Sequence, residues 1–144
     1  MSNPLAVKIG DLSFRSNVFG SSGCFGHAYE LAEYTDLTKL GAVTPKTSTF
    51  EPRPGNPPPR IWEVPAATLT SIGLQGPGID VDLELHFAKI KAVLDPDQIF
   101  YSIAANRIAD YISTGLKLAA VAGIDDIAAV ELNCACPNVT LGGG

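Results

Sequence analysis

The stretch Glu131-Leu132-Asn133-Cys134-Ala135-Cys136-Pro137-Asn138-Val139 places two amides and two thiols within six residues. It follows an apolar run, Ile127 to Val130, that reads as a buried strand. Pro137 stops a strand's hydrogen-bond ladder and biases Cys136 toward an extended backbone. The strand end therefore presents Asn133, Cys136 and Asn138 at a C-terminal sheet edge, where open and closed α/β sheets keep their ligands. A thiol, with a reference pKa of about 8.5, can take a proton from carbon when its thiolate is modestly favoured. A free cysteine is also an ordinary small apolar filler. The residues alone leave both roles open for Cys136. Cys134, two residues earlier, shares its face on an extended strand and leaves a vicinal redox pair open. A metal site would want two more ligands, and none stands nearby in sequence.

Lys46 follows Ala42-Val43-Thr44-Pro45 and precedes Thr47. Taken alone it reads as a surface lysine. At the mouth of a buried strand, opening a long loop, it also points into the crevice, where a fixed cation stabilises developing negative charge. Asn133 on a buried strand needs a partner, because an unsatisfied amide costs about 1–3 kcal/mol. Ser22-Gly23 lies in a small-residue turn, Gly20 to Gly26. His27 and His86 show no sequence partner. They read as a surface residue in the loop after the first core strand and as one on a solvated helix face. Arg53 and Arg60, among prolines, read as lid packing or a subunit contact, and Cys24 as structural.

The elements that hold these residues alternate. Ala6 to Phe14 reads as a short hairpin around Gly10-Asp11. Val18-Phe19 is a strand. A helix is expected over Ala28 to Leu40, broken near Thr35-Asp36 and capped by Gly41. Ala42 to Thr44 is a second strand. A proline-dense excursion from Thr47 to Gly78 contains two segments, Ile61 to Val64 and Thr68 to Ile72, able to pair as an ordered lid. Ile79, Leu83, Phe87, Ile90 and Leu94 recur at helical spacing. Ile99 to Ala104 is a third core strand. Asn106 is placed to cap a helix with an apolar face of Ile108, Tyr111, Ile112, Leu116 and Ala119. Ile127 to Leu132 is the fourth strand. Strand–helix alternation implies a parallel sheet. Two architectures compete: a small doubly wound domain, and the first half of an eight-stranded (β/α)8 barrel, which typically needs about 250 residues.

The composition excludes several classes. The 144 residues carry a net charge of −5 with no basic cluster, so neither nucleic acid nor an anionic membrane is an expected partner. No apolar run spans a bilayer, and Met1-Ser2-Asn3-Pro4 lacks the layout of a signal peptide. Three cysteines do not make a disulfide framework, and a reducing, cytoplasmic setting is the simplest reading.

Ser22-Gly23-Cys24-Phe25-Gly26, Lys46-Thr47, Glu51-Pro52-Arg53, Gly55-Asn56-Pro57, Pro59-Arg60, Ile72-Gly73-Leu74-Gln75 and Glu131 to Val139 resemble class 1 dihydroorotate dehydrogenases. The resemblance covers nearly all 144 residues in order, and Gly73 to Gly78 is closest to subclass 1B. It implies a TIM barrel, of which residues 1–144 form the N-terminal half: a hairpin and about four βα units of one FMN-binding domain. It implies oxidation of dihydroorotate to orotate in pyrimidine biosynthesis, with FMN accepting hydride and Cys136 as the base. Ser22, Gly23, Lys46, Thr47, Ser102 and Asn133 are the implied flavin contacts. Lys46, Thr70, Ser71, Ile72, Gly73, Leu74, Asn133 and Asn138 are the implied substrate contacts. A homodimer, or a heterotetramer with an electron-transfer subunit carrying FAD and an iron–sulfur cluster, is the implied assembly.

The sequence departs from the family pattern at Thr70, where asparagine is usual, at Ala105, where glycine is common, and at Pro45. Thr70 keeps open a related flavin barrel acting on another pyrimidine, such as uracil. Other readings are a non-catalytic half-barrel that docks on a partner half and a dithiol protein using Cys134 and Cys136. The expected fragment lacks the late strands whose loops hold a cofactor phosphate in such barrels.

Overall fold

The computed structural model describes residues 3–123 and 125–136. The chain opens with the expected hairpin, β1 (Val7–Ile9) against β2 (Leu12–Phe14), turned at Gly10 with its φ of 59°. β3 (Phe19–Gly20) then pairs in parallel with β4 (Ala42–Val43). The path continues through Pro45 to β5 (Ser48–Thr49), and Val43 forms a parallel bridge to Ile99. β6 (Ile61–Val64) and β7 (Ala67–Thr70) form the antiparallel hairpin of the excursion, exposed throughout. β8 (Phe100–Ala104) runs parallel to β5 on one side and to β9 (Ala129–Leu132) on the other. Spatial order thus follows chain order, β3, β4 with β5, β8, β9, without the reversal that marks a doubly wound sheet.

The helical segment after the excursion is legible in its apolar spacing. Ile79, Leu83, Phe87, Ile90 and Leu94 are all buried. It comprises α1 (Ile79–Asp82), a π-helical turn (Leu83–Phe87) and α2 (Ala88–Lys91). Its core clusters with Tyr101, Ile103 and Leu118 on one side and with Val43 and Ile99 on the other. Side chains alternate across a strand, so Tyr101 and Ile103 face the helices while Ser102 and Ala104 face the opposite side.

Three expectations are corrected. No α-helix covers 28–40. Ala28 adopts a left-handed φ of 71°, and successive i to i+3 bonds fold residues 25–34 into turns. Only Leu37–Lys39 is helical, as a 3-10 turn whose Thr38 amide donates to Asp36. Gly41 caps no helix: its amide donates to the Val18 carbonyl, and a Cβ there would overlap the Ser16 carbonyl. The third correction concerns α3 (Ile108–Val121). Arg107, not Asn106, stands at its N-cap, and the buried face is Thr114 and Leu118 with half-buried Tyr111. Ile108, Ile112 and Leu116 are exposed. The helix carries two apolar stripes, and the one with Thr114 is packed, its hydroxyl satisfied by the Asp110 carbonyl.

Candidate active site

A line of polar side chains crosses the sheet face away from the helices. Register fixes it: Ser102 on β8 lies opposite Glu131 on β9, and Ser48 opposite Ile103. Thr47 therefore falls beside Ser102. Ser22 Oγ lies 2.8 Å from Thr47 Oγ1, which lies 2.9 Å from Ser102 Oγ, which donates to Glu131 Oε1 at 2.7 Å. Ser102 has one proton and gives it to the carboxylate. Thr47 must then donate to Ser102 and accept from Ser22, whose one proton also has the Pro45 carbonyl at 3.2 Å as an acceptor. Three of the implied cofactor contacts, Ser22, Thr47 and Ser102, thus form one directed chain anchored on Glu131. Glu131 belongs to the terminal motif, yet sequence reasoning gave it no role. Gly23 follows with a left-handed φ of 83° and no atom within 4 Å of a Cβ position. Its residue type serves the backbone turn.

Lys46 sits at the rim of this line, half-buried, its backbone amide donating to the Gly26 carbonyl at 2.6 Å. Burial holds its pKa below the usual lysine value, while the Asp82 and Cys136 side chains pull it up. Among the described residues no carboxylate lies within 4.0 Å of its ammonium. Cys136 is half-buried and within electrostatic reach of that cation. Asn133 continues the β9 ladder by donating to the Ile103 carbonyl at 2.9 Å, and its own carbonyl accepts from Tyr111 at 2.6 Å. Its side-chain amide makes no hydrogen bond among the described residues. Asn138 lies outside the described residues.

On the same face, one layer nearer the C-terminal edge, Thr49 and Ala104 line a cleft of about 680 Å³ that also takes in Phe50, Pro52, Ala105 and Arg107. Ser71 to Leu74 form part of a folded strap beside it. Asn56 donates to Ser71 Oγ at 2.8 Å, Arg53 and Gly76 form an antiparallel bridge, and Arg60 binds Gln75 and the Pro54 and Asn56 carbonyls. Arg60 is therefore a lid-packing residue. Gly73 is buried, Leu74 has a left-handed φ of 53°, and Thr70 is exposed at the end of β7. No described contact joins Thr70, Ser71, Ile72, Gly73 or Leu74 to Lys46 or Cys136.

The histidines and Cys24 differ from expectation. His27 and His86 stack at 3.9 Å between ring centroids, and His27 Nε2 lies 3.5 Å from the buried Asp82. Neither is a solvated surface group. Cys24 is exposed and free, so it is not a packing residue, and Cys134 is exposed and free as well.

Comparison with known proteins decides the family. The dihydroorotate dehydrogenase family model matches residues 4–144. The chain belongs to the dihydroorotate dehydrogenase family. Among its relatives are proteins named dihydroorotate dehydrogenase B (NAD(+)), catalytic subunit. That of Desulforamulus reducens is 43% identical over 96% of this chain and 44% of the relative. That of Halalkalibacterium halodurans is 40% identical over the same shares. The chain thus spans under half the length of these relatives. A crystal structure of a dihydroorotate dehydrogenase from Eimeria tenella, in complex with ferulenol, superposes with a TM-score of 0.64 at 22% identity. It covers 94% of this chain and 38% of that one. The fold of this flavin-dependent family is the TIM barrel, and the unreversed strand order agrees with it. Among the described residues no helix is long and apolar enough to cross a membrane.

Proposed function

We propose that this chain is the N-terminal half of the catalytic subunit of an NAD-linked dihydroorotate dehydrogenase of subclass 1B, working in the cytoplasm. The observation that carries the reading is Lys46: a half-buried cation with no described ion-pair partner, beside the Ser22–Thr47–Ser102–Glu131 chain and within the field of Cys136. A half-buried cation without an ion-pair partner, compensated only by the field of Asp82 and Cys136, is costly, and an electron-rich ring or a carboxylate laid against it lowers that cost. The open amide of Asn133 and the hydroxyl line suit the same flat polar partner. These residues fit FMN and a pyrimidine carboxylate.

When bound, FMN supplies the hydride acceptor. The protein's share is positional and acid–base. Lys46 stabilises negative charge that develops against it. Asn133 and Asn138 orient the carbonyl and N–H edges of dihydroorotate. Cys136 Sγ takes the proton from the ring carbon beside the carbonyl while hydride leaves the adjacent carbon, and orotate is formed. Ser71 to Leu74, on the strap, cover the site and exclude water. Electrons leave through a partner subunit carrying FAD and an iron–sulfur cluster.

The test uses the enzyme expressed from its complete coding sequence. Cys136→Ser is expected to slow anaerobic single-turnover bleaching of the flavin by dihydroorotate by about 10²-fold or more, the usual range for a lost general base. Bleaching at the wild-type rate removes the base role.

A further inference from the structure

The cluster formed by His27, Asp82 and His86 is not used in that reaction. His27 comes from the loop after β3. Asp82 and His86 are four residues apart on the helical segment, and His86 lies in its π-helical turn. Single π-turns within helices concentrate at functional sites. Each of the three side chains is held by one polar atom and keeps another for a further partner. Asp82 Oδ2 accepts from Ser48 at 2.6 Å, which leaves Oδ1. His27 Nδ1 meets Glu30 Oε1 at 3.2 Å, which leaves Nε2. His86 Nδ1 meets Tyr29 Oη at 2.8 Å, which leaves its Nε2. Asp82 is 97% buried, and its Oδ1 and His27 Nε2, both buried, face each other at 3.5 Å without forming a hydrogen bond.

We propose that His27, Asp82 and His86 together bind one divalent transition-metal ion. One candidate ligand atom from each lies within 4.8 Å of the other two. Two imidazole nitrogens and one carboxylate oxygen form a borderline set suited to zinc and its neighbours, with a fourth position for water. Glu30, Tyr29 and Ser48 are the outer partners that fix ring orientation and ligand basicity in such sites. The stacked rings, 13° from parallel, must splay for both lone pairs to meet at one ion. His86 is the ring that turns, since His27 Nε2 already faces Asp82 Oδ1.

The test is calorimetric titration of zinc chloride into the protein expressed from its complete coding sequence and freed of metal. Wild type is expected to take one ion per chain. His86→Gln and His27→Gln are each expected to weaken binding at least tenfold while keeping the far-ultraviolet circular dichroism of the wild-type fold. Cys134→Ser with Cys136→Ser is expected to leave binding unchanged. Loss of binding in the double cysteine variant with retention in both histidine variants assigns the zinc to the thiols and overturns the proposal. No saturable binding by wild type also overturns it. The measurement needs no flavin and no turnover, so its outcome is separate from the fate of the dehydrogenase reading.

Discussion

A single proton decides the charge of the stacked histidine pair. Asp82 faces His27 and draws its pKa up, with Glu30 adding to the effect. His86 is drawn down by burial and then by the neighbouring His27 charge. The other charged groups in reach are Lys89 beside His86 and Lys46 near Asp82. Linkage gives each ring its own sign. Stability from His27 is complete below its unfolded value of about 6.5 and is lost as pH rises through the raised folded value. Stability from His86 is present above about 6.5 and is lost as pH falls toward its lowered folded value. Urea midpoints measured with chelator between about pH 5 and 8 are therefore expected to pass through a maximum. His27→Gln removes the alkaline decline, and His86→Gln removes the acidic one. A profile unchanged by either variant refutes the assignment. At this scale the sequence exposed only part of the site. Lys46, Thr47, Ser102 and Asn133 stand in recognisable motifs. Asp82 and His86 went unconnected in the sequence, because their spacing gains meaning only from His27, which folding brings to Asp82 from 55 residues away. Glu131 was hidden differently, since only strand register places it opposite Ser102.

At the scale of elements, apolar spacing was reliable where one stripe exists and misleading where two do. The segment after the excursion has five apolar positions on one face, and all five are buried. α3 has a second stripe at Ile108, Ile112 and Leu116, and aliphatic residues alone do not reveal that the face with Thr114 is the one packed. Residues 28–40 had a helical composition but fold as turns, because buried Ala28 adopts a left-handed backbone and Gln98 holds the following segment from outside. Its buried amide donates to the Leu37 and Leu40 carbonyls at 3.1 and 2.8 Å. Gly41 ends that segment for a steric reason. It lets the chain pass against the Ser16 carbonyl as β4 joins β3. Gly41→Ala is expected to cost about 1–3 kcal/mol, as overpacking of a tight contact does, read as a lower urea midpoint at unchanged slope. Because β4 leads directly to Lys46, the same variant is expected to loosen the rim. A midpoint equal to wild type shows that the passage is slack.

At the scale of the molecule, the described residues present an unfinished surface. β9 pairs with β8 alone, and Val130 and Leu132 on it are 44% and 58% exposed. The outer stripe of α3 is open beside it, with Ile108 80% and Leu116 67% exposed. Between them lies an apolar hollow walled by Leu118, Ala122 and Ile127. An unpaired strand edge flanked by aliphatic side chains recruits another chain, whereas a barrel removes its edges by closure. Further βα units of the kind the longer relatives have room for would pair with β9 and cover the α3 stripe. Cofactor phosphate in such barrels sits in loops after the seventh and eighth strands, beyond the four strand positions described. A polypeptide of residues 1–144 expressed alone is therefore expected to self-associate and to purify without flavin. The product of the complete coding sequence is expected to be monodisperse in its native assembly and yellow. Light scattering with an absorption spectrum distinguishes these outcomes. A monomeric 144-residue chain holding flavin near one equivalent would show that the open edge is stable and that the phosphate is held within these residues, which the half-barrel reading forbids.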